Sequence, residues 1–370
     1  MSQVSGKVRV AVVFGGRSSE HAISAVTAGA VMAAMDRDRY EVVPVGIARD
    51  GRWVLPPSDL NLAISDGRLP EVGGEGSALA LPFDPEARGL MVVEPGEVPR
   101  TLGEVDVVLP LLHGPYGEDG TLQGLLELAG VRYVGAGVLA SAVGQDKGFM
   151  KLVWQAQGLP VGRYVTLTDR EWRRERKRKL DEIAELGLPV FVKPARAGSS
   201  MGITRVTGEA DLPAAIEAAR EHDPKVIVEA AIAGREIECG VLQGVGDAPA
   251  EASLPAEIQM AGEHDFYDFD TKYLDGSTSL SIPPDLPAGV IEEVQRLAVR
   301  AFEALECEGL ARVDFFYTPD GRWILNEINT MPGFTPRSAF PQMWAASGLD
   351  YPALVDRLIQ SALTRRIGLR

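Results

Sequence analysis

Arg312, Asp314, Glu327 and Asn329 carry the clearest chemical signal in the chain, all within the run from Leu310 to Asn329. Asp320-Gly321 divides that run and predicts a hairpin, because a two-residue type I′ turn needs positive φ at both central residues. Such a turn sets Asp314 opposite Glu327 and Arg312 opposite Asn329. A four-residue loop would instead set Arg312 opposite Glu327. Either register keeps all four side chains on one face, since side chains alternate along a strand. Two carboxylates and an amide with an arginine beside them are electrostatically costly as a plain sheet surface. Oxygen ligands of this kind suit Mg²⁺, which binds one or two carboxylates and takes its other ligands from phosphate and water. The competing reading is an exposed, salt-bridged hairpin face. Met331-Pro332-Gly333-Phe334 just beyond Asn329 favours the metal reading, because a Pro-Gly loop there presents backbone N–H groups to an anion.

Further pieces suit phosphate. Lys193 ends a Val-Phe-Val run and is followed by Gly198-Ser199-Ser200-Met201-Gly202, a donor-rich loop able to fold over phosphates. The spacing is not that of a Walker loop. Gly15-Gly16-Arg17-Ser18 also departs from the dinucleotide pattern, which removes the best support for a nicotinamide enzyme. Lys147 at a helix start is individually a solvated charge. Glu229 and Glu236 flank a short link between strands, where acids can hold an adenine amino group and a ribose. Lys272-Tyr273 follows the polar-aromatic stretch Phe266 to Asp270, which reads as a loop closing over a site.

The elements that must position these residues are legible from periodicity. Val8 to Val13 reads as a strand ended by Gly15-Gly16, then a helix capped by Ser18 or Ser19, then a strand at Tyr40 to Ile47. Residues 56–100 lose periodicity and read as an insertion of loops and short hairpins, scaffold rather than site. A strand at Val105 to Leu112 and a helix from Gly120 to Leu128 complete a doubly wound unit. The helix at Lys147 to Gln157 and the strand at Tyr164 to Thr168 open a second. Thr168-x-x-Glu171 is a capping box before the basic run Arg170 to Lys179, whose interleaved glutamates favour a solvated helix face over a nucleic-acid surface. Strands follow at 190–193, 226–229 and 236–242, then helices at Pro287 to Cys307 and Tyr351 to Arg365. The division expected is 1–140, 141–230 and 231–370.

Composition narrows the function. The chain has 370 residues, with 37 basic against 52 acidic and a net charge of −15. That balance repels phosphate backbones, so nucleic acid is not an expected partner. A hydrophobic fraction of 45% with 24% charged is globular rather than disordered. No apolar stretch has the length of a membrane span, and Met1 to Val10 leaves no room for a signal peptide. Two cysteines, Cys239 and Cys307, are too few for a disulfide framework. A cytoplasmic protein of several domains, not bound to a membrane, is expected.

Taken in order, Lys147, Lys193-Pro-Ala-Arg-Ala-Gly-Ser-Ser200, Glu229, Glu236, Arg312-Val-Asp314 and Asn326 to Thr335 resemble an ATP-grasp enzyme. Gly15 to Ser24 and His113-Gly-Pro-Tyr-Gly-Glu-Asp-Gly-Thr-Leu-Gln-Gly124 resemble, more narrowly, the D-alanine–D-alanine ligase family. The resemblance spans residues 8 to 360, interrupted by 56–100. It implies a three-domain α/β and α+β ATP-grasp fold with an N-terminal Rossmann-like domain. It also implies ATP-dependent joining of two D-alanines through a D-alanyl phosphate, for peptidoglycan precursor synthesis. Lys147, Lys193, Ser200 and Lys272 would hold phosphates, and Glu229, Ala230, Ile232 and Glu236 the adenine and ribose. Asp314, Glu327 and Asn329 would carry two Mg²⁺, with Mn²⁺ a possible substitute. Arg312 and the Gly333 N–H would face the developing oxyanion. Glu20 would meet the first substrate's ammonium, with Ser199 and Tyr273 linking it to the closing loop. His113, Ser338 and Ala339 would line the second-substrate pocket. A homodimer is implied. Ala197 and Pro336-Arg337 depart from the common family spelling, and the latter touches acceptor choice. Tyr273 points to D-alanine as acceptor over D-lactate. D-lactate or D-serine ligation on the same fold, and a nucleotide-binding regulator without turnover, are the alternatives.

Overall fold

The computed structural model describes residues 6–57, 60–64, 68–81, 89–94, 96–198, 201–260 and 278–366. Three sheets organise them. The first has seven strands: β1 (Val8–Gly15), β2 (Tyr40–Ile47), β3 (Trp53–Leu55), β4 (Ser77–Ala80), β5 (Gly89–Val93), β6 (Arg100–Glu104) and β7 (Val107–Pro110). Their order is β6-β5-β4-β3-β2-β1-β7. Strand β1 pairs in parallel with both β2 and β7, while β2 to β6 form an antiparallel meander. Much of the 56–100 segment therefore forms short hairpins that extend the sheet away from the parallel strands.

Alternation along β1 sends its side chains to two cores. Val10, Val12 and Phe14 pack with Ala25, Ala28 and Val31 of α1 (His21–Ala34), whereas Ala11 and Val13 pack with Leu122 and Leu126 of α2 (Thr121–Leu128). Helix α1 begins later than its serines predict. Glu20 holds the N-cap position and no side chain caps the helix; Ser18 Oγ instead accepts the Glu20 N–H at 3.3 Å. The cause is the preceding loop, where Gly15 and Gly16 both have positive φ. Buried His21 meets the Gly16 carbonyl at 2.6 Å through Nδ1 and accepts the Val72 N–H at 2.9 Å through Nε2.

The second sheet, order β10-β9-β11-β8, is antiparallel. It comprises β8 (Tyr164–Thr168), β9 (Val190–Pro194), β10 (Thr204–Val206) and β11 (Lys225–Ala230). Helices α3 (Val138–Gln145) and α4 (Lys147–Ala156) lead into it. Helices α5 (Asp169–Ala184) and α6 (Leu212–His222) supply Trp172, Ile183, Ile216 and Ala219 to its core. The Thr168–Glu171 capping box opens α5.

The third sheet runs β15-β14-β12-β16-β17, with β13 paired on β12. Its strands are β12 (Arg235–Leu242), β13 (Glu251–Ala252), β14 (Ala256–Met260), β15 (Thr278–Ser281), β16 (Leu310–Tyr317) and β17 (Trp323–Asn329). Helix α7 (Ala288–Ala304) covers one face through Val294, Ala298 and Phe302 against Ile237, Val313 and Phe315. Helices α8 (Ala339–Ala346) and α9 (Tyr351–Thr364) close the chain. Leu354, Leu358 and Ile359 of α9 share a core with β1 and with Leu242 of β12 and Leu310 of β16, so the C-terminal helix ties the first sheet to the third.

The β16–β17 hairpin has the expected functional register for a different reason. Its loop has three residues, not two. The Thr318 N–H donates to the Arg322 carbonyl and the Gly321 N–H to the Thr318 carbonyl, and Gly321 has φ 80°. A two-residue turn would require Pro319, which has no N–H, opposite Arg322. A type I turn tolerates proline at its second position, with glycine next in the left-handed region. The resulting slip is cancelled by a bulge between Asp314 and Phe315 that leaves Asn326 as the extra residue on β17. Asp314 therefore faces Glu327, and Arg312 faces Asn329.

Candidate functional site

A cavity of about 290 Å³ opens among the three sheets, lined by residues of β9, β11, β12, β16, β17, α4 and the loops after β7 and β17. One wall is the functional face of the hairpin. Asp314 accepts from Arg312 Nε and Nη2, both at 2.7 Å, and from Asn329 Nδ2 at 3.0 Å. Glu238, reaching across from β12, stands 3.2 Å from Arg312 Nε. Burial works against the guanidinium charge, yet Asp314 and Glu238 raise the Arg312 pKa well above its ordinary value. Glu327 lies 3.4 Å from Lys147 at the first turn of α4, and Lys147 also donates to the Ala197 carbonyl at 2.9 Å.

The lining also holds a charged triad. Glu229 meets Lys193 at 2.5 Å through one carboxylate oxygen and Lys151 at 3.0 Å through the other. Burial alone would raise the Glu229 pKa, but the two ammonium groups overcome it and hold the carboxyl well below its ordinary range. Burial lowers Lys151, with Glu229 opposing it. Burial also acts downward on Lys193, but Glu229 reverses the direction and raises it.

The loops after β1 and β7 form the third side. Glu20, at the head of α1, lines the cavity, and β-carbons on Gly114 or Gly198 would stand 3.3 or 3.4 Å from its Oε2. His113 Nδ1 contacts the Met331 carbonyl at 3.1 Å. Glu118 accepts the Gly114 N–H at 2.6 Å and the Met331 N–H at 3.1 Å. Both ends of the Met331 residue are thus gripped from the first sheet, which positions Pro332 and Gly333 at the cavity wall. Burial first, then Glu20, pushes the Glu118 carboxyl up to about 8.

Of the residues singled out by sequence, Glu20, His113, Lys147, Lys193, Glu229, Ala230, Ile232, Glu236, Arg312, Asp314, Glu327, Asn329 and Gly333 all line this one cavity. Ser338 and Ala339 do not. Ser338 is the N-cap of α8, with its hydroxyl accepting the Thr335 N–H at 3.1 Å and meeting Thr335 Oγ1 at 2.9 Å. Ser199, Ser200, Lys272 and Tyr273 lie outside the described residues. Three charged groups were missed, of which Lys151 and Glu238 are buried and Glu118 is half-buried. Lys151 lies one helical turn beyond Lys147, and Glu238 two residues beyond Glu236, so helix and strand periodicity could have found both. Glu118 sits inside the His113–Gly124 motif, where its charge gave no role without its partners.

The donor set fits a divalent cation. Asp314 and Glu327 supply carboxylate oxygens and Asn329 an amide oxygen, a set suited to Mg²⁺ when phosphate and water complete the shell. Among the described residues, no group of three or more His, Cys, Asp or Glu is arranged for a metal ion. No described helix is long and apolar enough to cross a membrane.

Comparison with known proteins agrees with this geometry along the whole chain. Residues 9–136 match the family described as D-ala D-ala ligase N-terminus, and residues 153–360 match D-ala D-ala ligase C-terminus. A D-alanine–D-alanine ligase from Streptomyces coelicolor is 60% identical, covering 98% of this chain and 95% of its own length. One from Paenarthrobacter aurescens is 58% identical, over 99% and 98% respectively. Among solved structures, the VanG D-Ala:D-Ser ligase from Enterococcus faecalis superposes with a TM-score of 0.82 at 35% identity, covering 96% of this chain and 100% of its own. The D-alanine–D-alanine ligase from Coxiella burnetii does so with 0.78 at 34% identity, over 96% and 94%. The fold is ATP-grasp, and with both halves matched in order and the charged groups gathered in one cavity, the chain belongs to the D-alanine–D-alanine ligase family.

Proposed function

We propose that this chain joins two D-alanines into D-alanyl-D-alanine for peptidoglycan precursor synthesis, converting ATP to ADP and phosphate. The observation that carries the reading is the meeting of Arg312, Asp314, Glu327 and Asn329 with Lys147, Lys193 and Glu229 around one cavity. In this reading the first D-alanine places its ammonium on Glu20, and its carboxylate oxygen attacks the γ-phosphorus of ATP. The bond from that phosphorus to the bridging oxygen breaks, ADP departs and an acyl phosphate remains. The amine of the second D-alanine, having lost a proton, then attacks the carbonyl carbon, and phosphate leaves with the C–O bonding pair. Arg312 and the Gly333 N–H stabilise the oxyanion that develops on that carbonyl, where preorganised donors matter most. Asp314, Glu327 and Asn329 would hold Mg²⁺, or Mn²⁺ in its place; such an ion neutralises phosphate charge during transfer. Lys147 and Lys193 draw the phosphates, and Glu229 and Glu236 the adenine amino group and ribose. Ser200 and Lys272 belong to the same phosphate assignment, and Ser199 and Tyr273 to loop closure. Excluding water matters because an acyl phosphate hydrolyses readily.

The units 1–140, 141–230 and 231–370 divide this work into first-substrate side, nucleotide grasp, and metal with second substrate. Ser338 and Ala339 bind the second carboxylate in this scheme, which requires Ser338 to exchange its Thr335 partner. A homodimer and a cytoplasmic location rest on the family resemblance. D-serine as acceptor is the second reading, raised by the 35% identity to the D-Ala:D-Ser ligase but not favoured, since relatives of 58% and 60% identity are named for D-alanine. The test is ADP release with ATP and Mg²⁺, supplying D-alanine, L-alanine, or D-alanine with D-serine or D-lactate, with mass analysis of the products. D-alanyl-D-alanine from D-alanine alone is expected. A mixed product as the main species would move the acceptor, and no ADP in any mixture would leave a nucleotide-binding regulator.

A further inference from the structure

The Lys151–Glu229–Lys193 triad contains a group that the proposed reaction does not use. Lys193 is assigned to phosphate, yet it lies 2.5 Å from Glu229 Oε2. Glu229 is assigned to the adenine amino group, yet both its oxygens meet ammonium groups. A phosphate that draws Lys193 toward itself loosens the contact between Lys193 and Glu229. A buried carboxylate that loses its partner incurs the full cost of desolvation, so the exchange needs a cation that stays behind.

Lys151 is placed to be that cation. Its side chain is 3% exposed, against 15% for Lys193, and it has a second anchor, donating to the Asn326 carbonyl at 2.8 Å. Asn326 is the extra residue at the β17 bulge, and a bulge re-aims local groups and tends to mark a built site. Both lysines line the cavity, but Lys151 is fixed between the second and third sheets, whereas the more exposed Lys193 stands near the end of β9.

We propose that Lys151 is a positioning residue for the nucleotide, holding Glu229 in place while Lys193 exchanges that carboxylate for a phosphate of ATP. The proposal rests on the assignment of ATP to this cavity. With Lys151 removed, freeing Lys193 strands Glu229, so ATP binding weakens although Lys151 never touches phosphate. With Glu229 neutral there is nothing to strand, and Lys151 loses its effect.

The experiment is a double-mutant cycle on the full chain, reading the Kd of ATP with Mg²⁺ by calorimetry in the absence of D-alanine. Lys151→Met should raise that Kd on the order of tenfold to a hundredfold. In turnover it should raise the KM for ATP far more than the KM for D-alanine. In a Glu229→Gln background the same change should move the Kd less than about threefold, because the two residues act as one unit. Lys151→Arg should recover most of the affinity. If Lys151→Met does not fold, Lys151→Gln replaces it in the cycle, keeping a donor to Glu229 without the charge. A folded variant with unchanged Kd, or an equal loss in the Glu229→Gln background, overturns the proposal. A wild-type protein that binds no ATP instead overturns the assignment on which it rests.

Discussion

Two charge clusters line the same cavity, and they have opposite composition. Lys151–Glu229–Lys193 sets two cations on one carboxylate. Glu238–Arg312–Asp314 sets two carboxylates on one cation. The first carries a surplus positive charge where phosphate is proposed, and the second a surplus negative charge where a divalent cation is proposed. Each buried charge has a partner within the protein, which avoids the desolvation cost of an isolated ion. The difference teaches how a site can be both stable and ready. In the proposed scheme a ligand of the right sign takes one member of each triad, and the deeper partner keeps the remaining charge compensated.

The largest expected effect tests the negative cluster. Arg312→Met should lower kcat by about 10²–10³-fold, the range for losing one preorganised oxyanion donor, while the Kd for ATP stays near wild type. Loss of ATP binding equal to the loss of kcat would place Arg312 with the nucleotide and break the contrast. A smaller effect is expected for Glu238→Gln. Without Glu238, Arg312 is left to Asp314 and competes harder for the oxygens proposed for the cation. The Mg²⁺ concentration for half-maximal activity should rise roughly tenfold to a hundredfold, as for other residues behind a ligand. An unchanged Mg²⁺ dependence would show that Glu238 is not the deeper partner.

The smallest effect concerns Glu118, a half-buried acid hydrogen-bonded by backbone N–H groups and lacking a lysine or arginine in direct contact among the described residues. Burial and Glu20 push its carboxyl up to about 8 from the ordinary 4.5. Between those values the folded state binds more protons than the unfolded state. Its contribution to stability is therefore present below pH 4.5 and is lost as pH rises through about 8. Unfolding free energy should fall by at least about 1 kcal/mol from pH 5 to pH 8 through this group, and Glu118→Gln should remove that slope. Denaturant titrations at the two pH values measure it. Identical slopes in both proteins would remove Glu118 as the titrating group.

Much of the site was legible because its chemistry lies in local patterns. Arg312 and Asp314 share a face by strand alternation, as do Glu327 and Asn329, and the bulge at Asn326 is what brings the two pairs to the same face after a three-residue loop. The Thr168–Glu171 cap and the strands around Lys193 and Glu229 are equally local. Ser338 was less secure, since its hydroxyl is shared with Thr335 at the head of α8, and no nearby pattern announces that choice. The cap expected from Ser18 or Ser19 failed because two glycines with positive φ and a buried His21 determine where α1 begins.

By itself the sequence determined the order of strands and helices, the alternation within each strand of the hairpin, and the motifs that mark the family, because periodicity, turn chemistry and spacing act over a few residues. Only the tertiary structure decided which charges meet. Lys151 finds Glu229 from 78 positions away in the chain (229 minus 151), and Glu238 finds Arg312 across neighbouring strands. Helix α9 completes the core beside β1, from the far end of the chain. Coulomb attraction and burial depend on distance in space, and spacing along the chain carries no record of that distance until the sheets are packed.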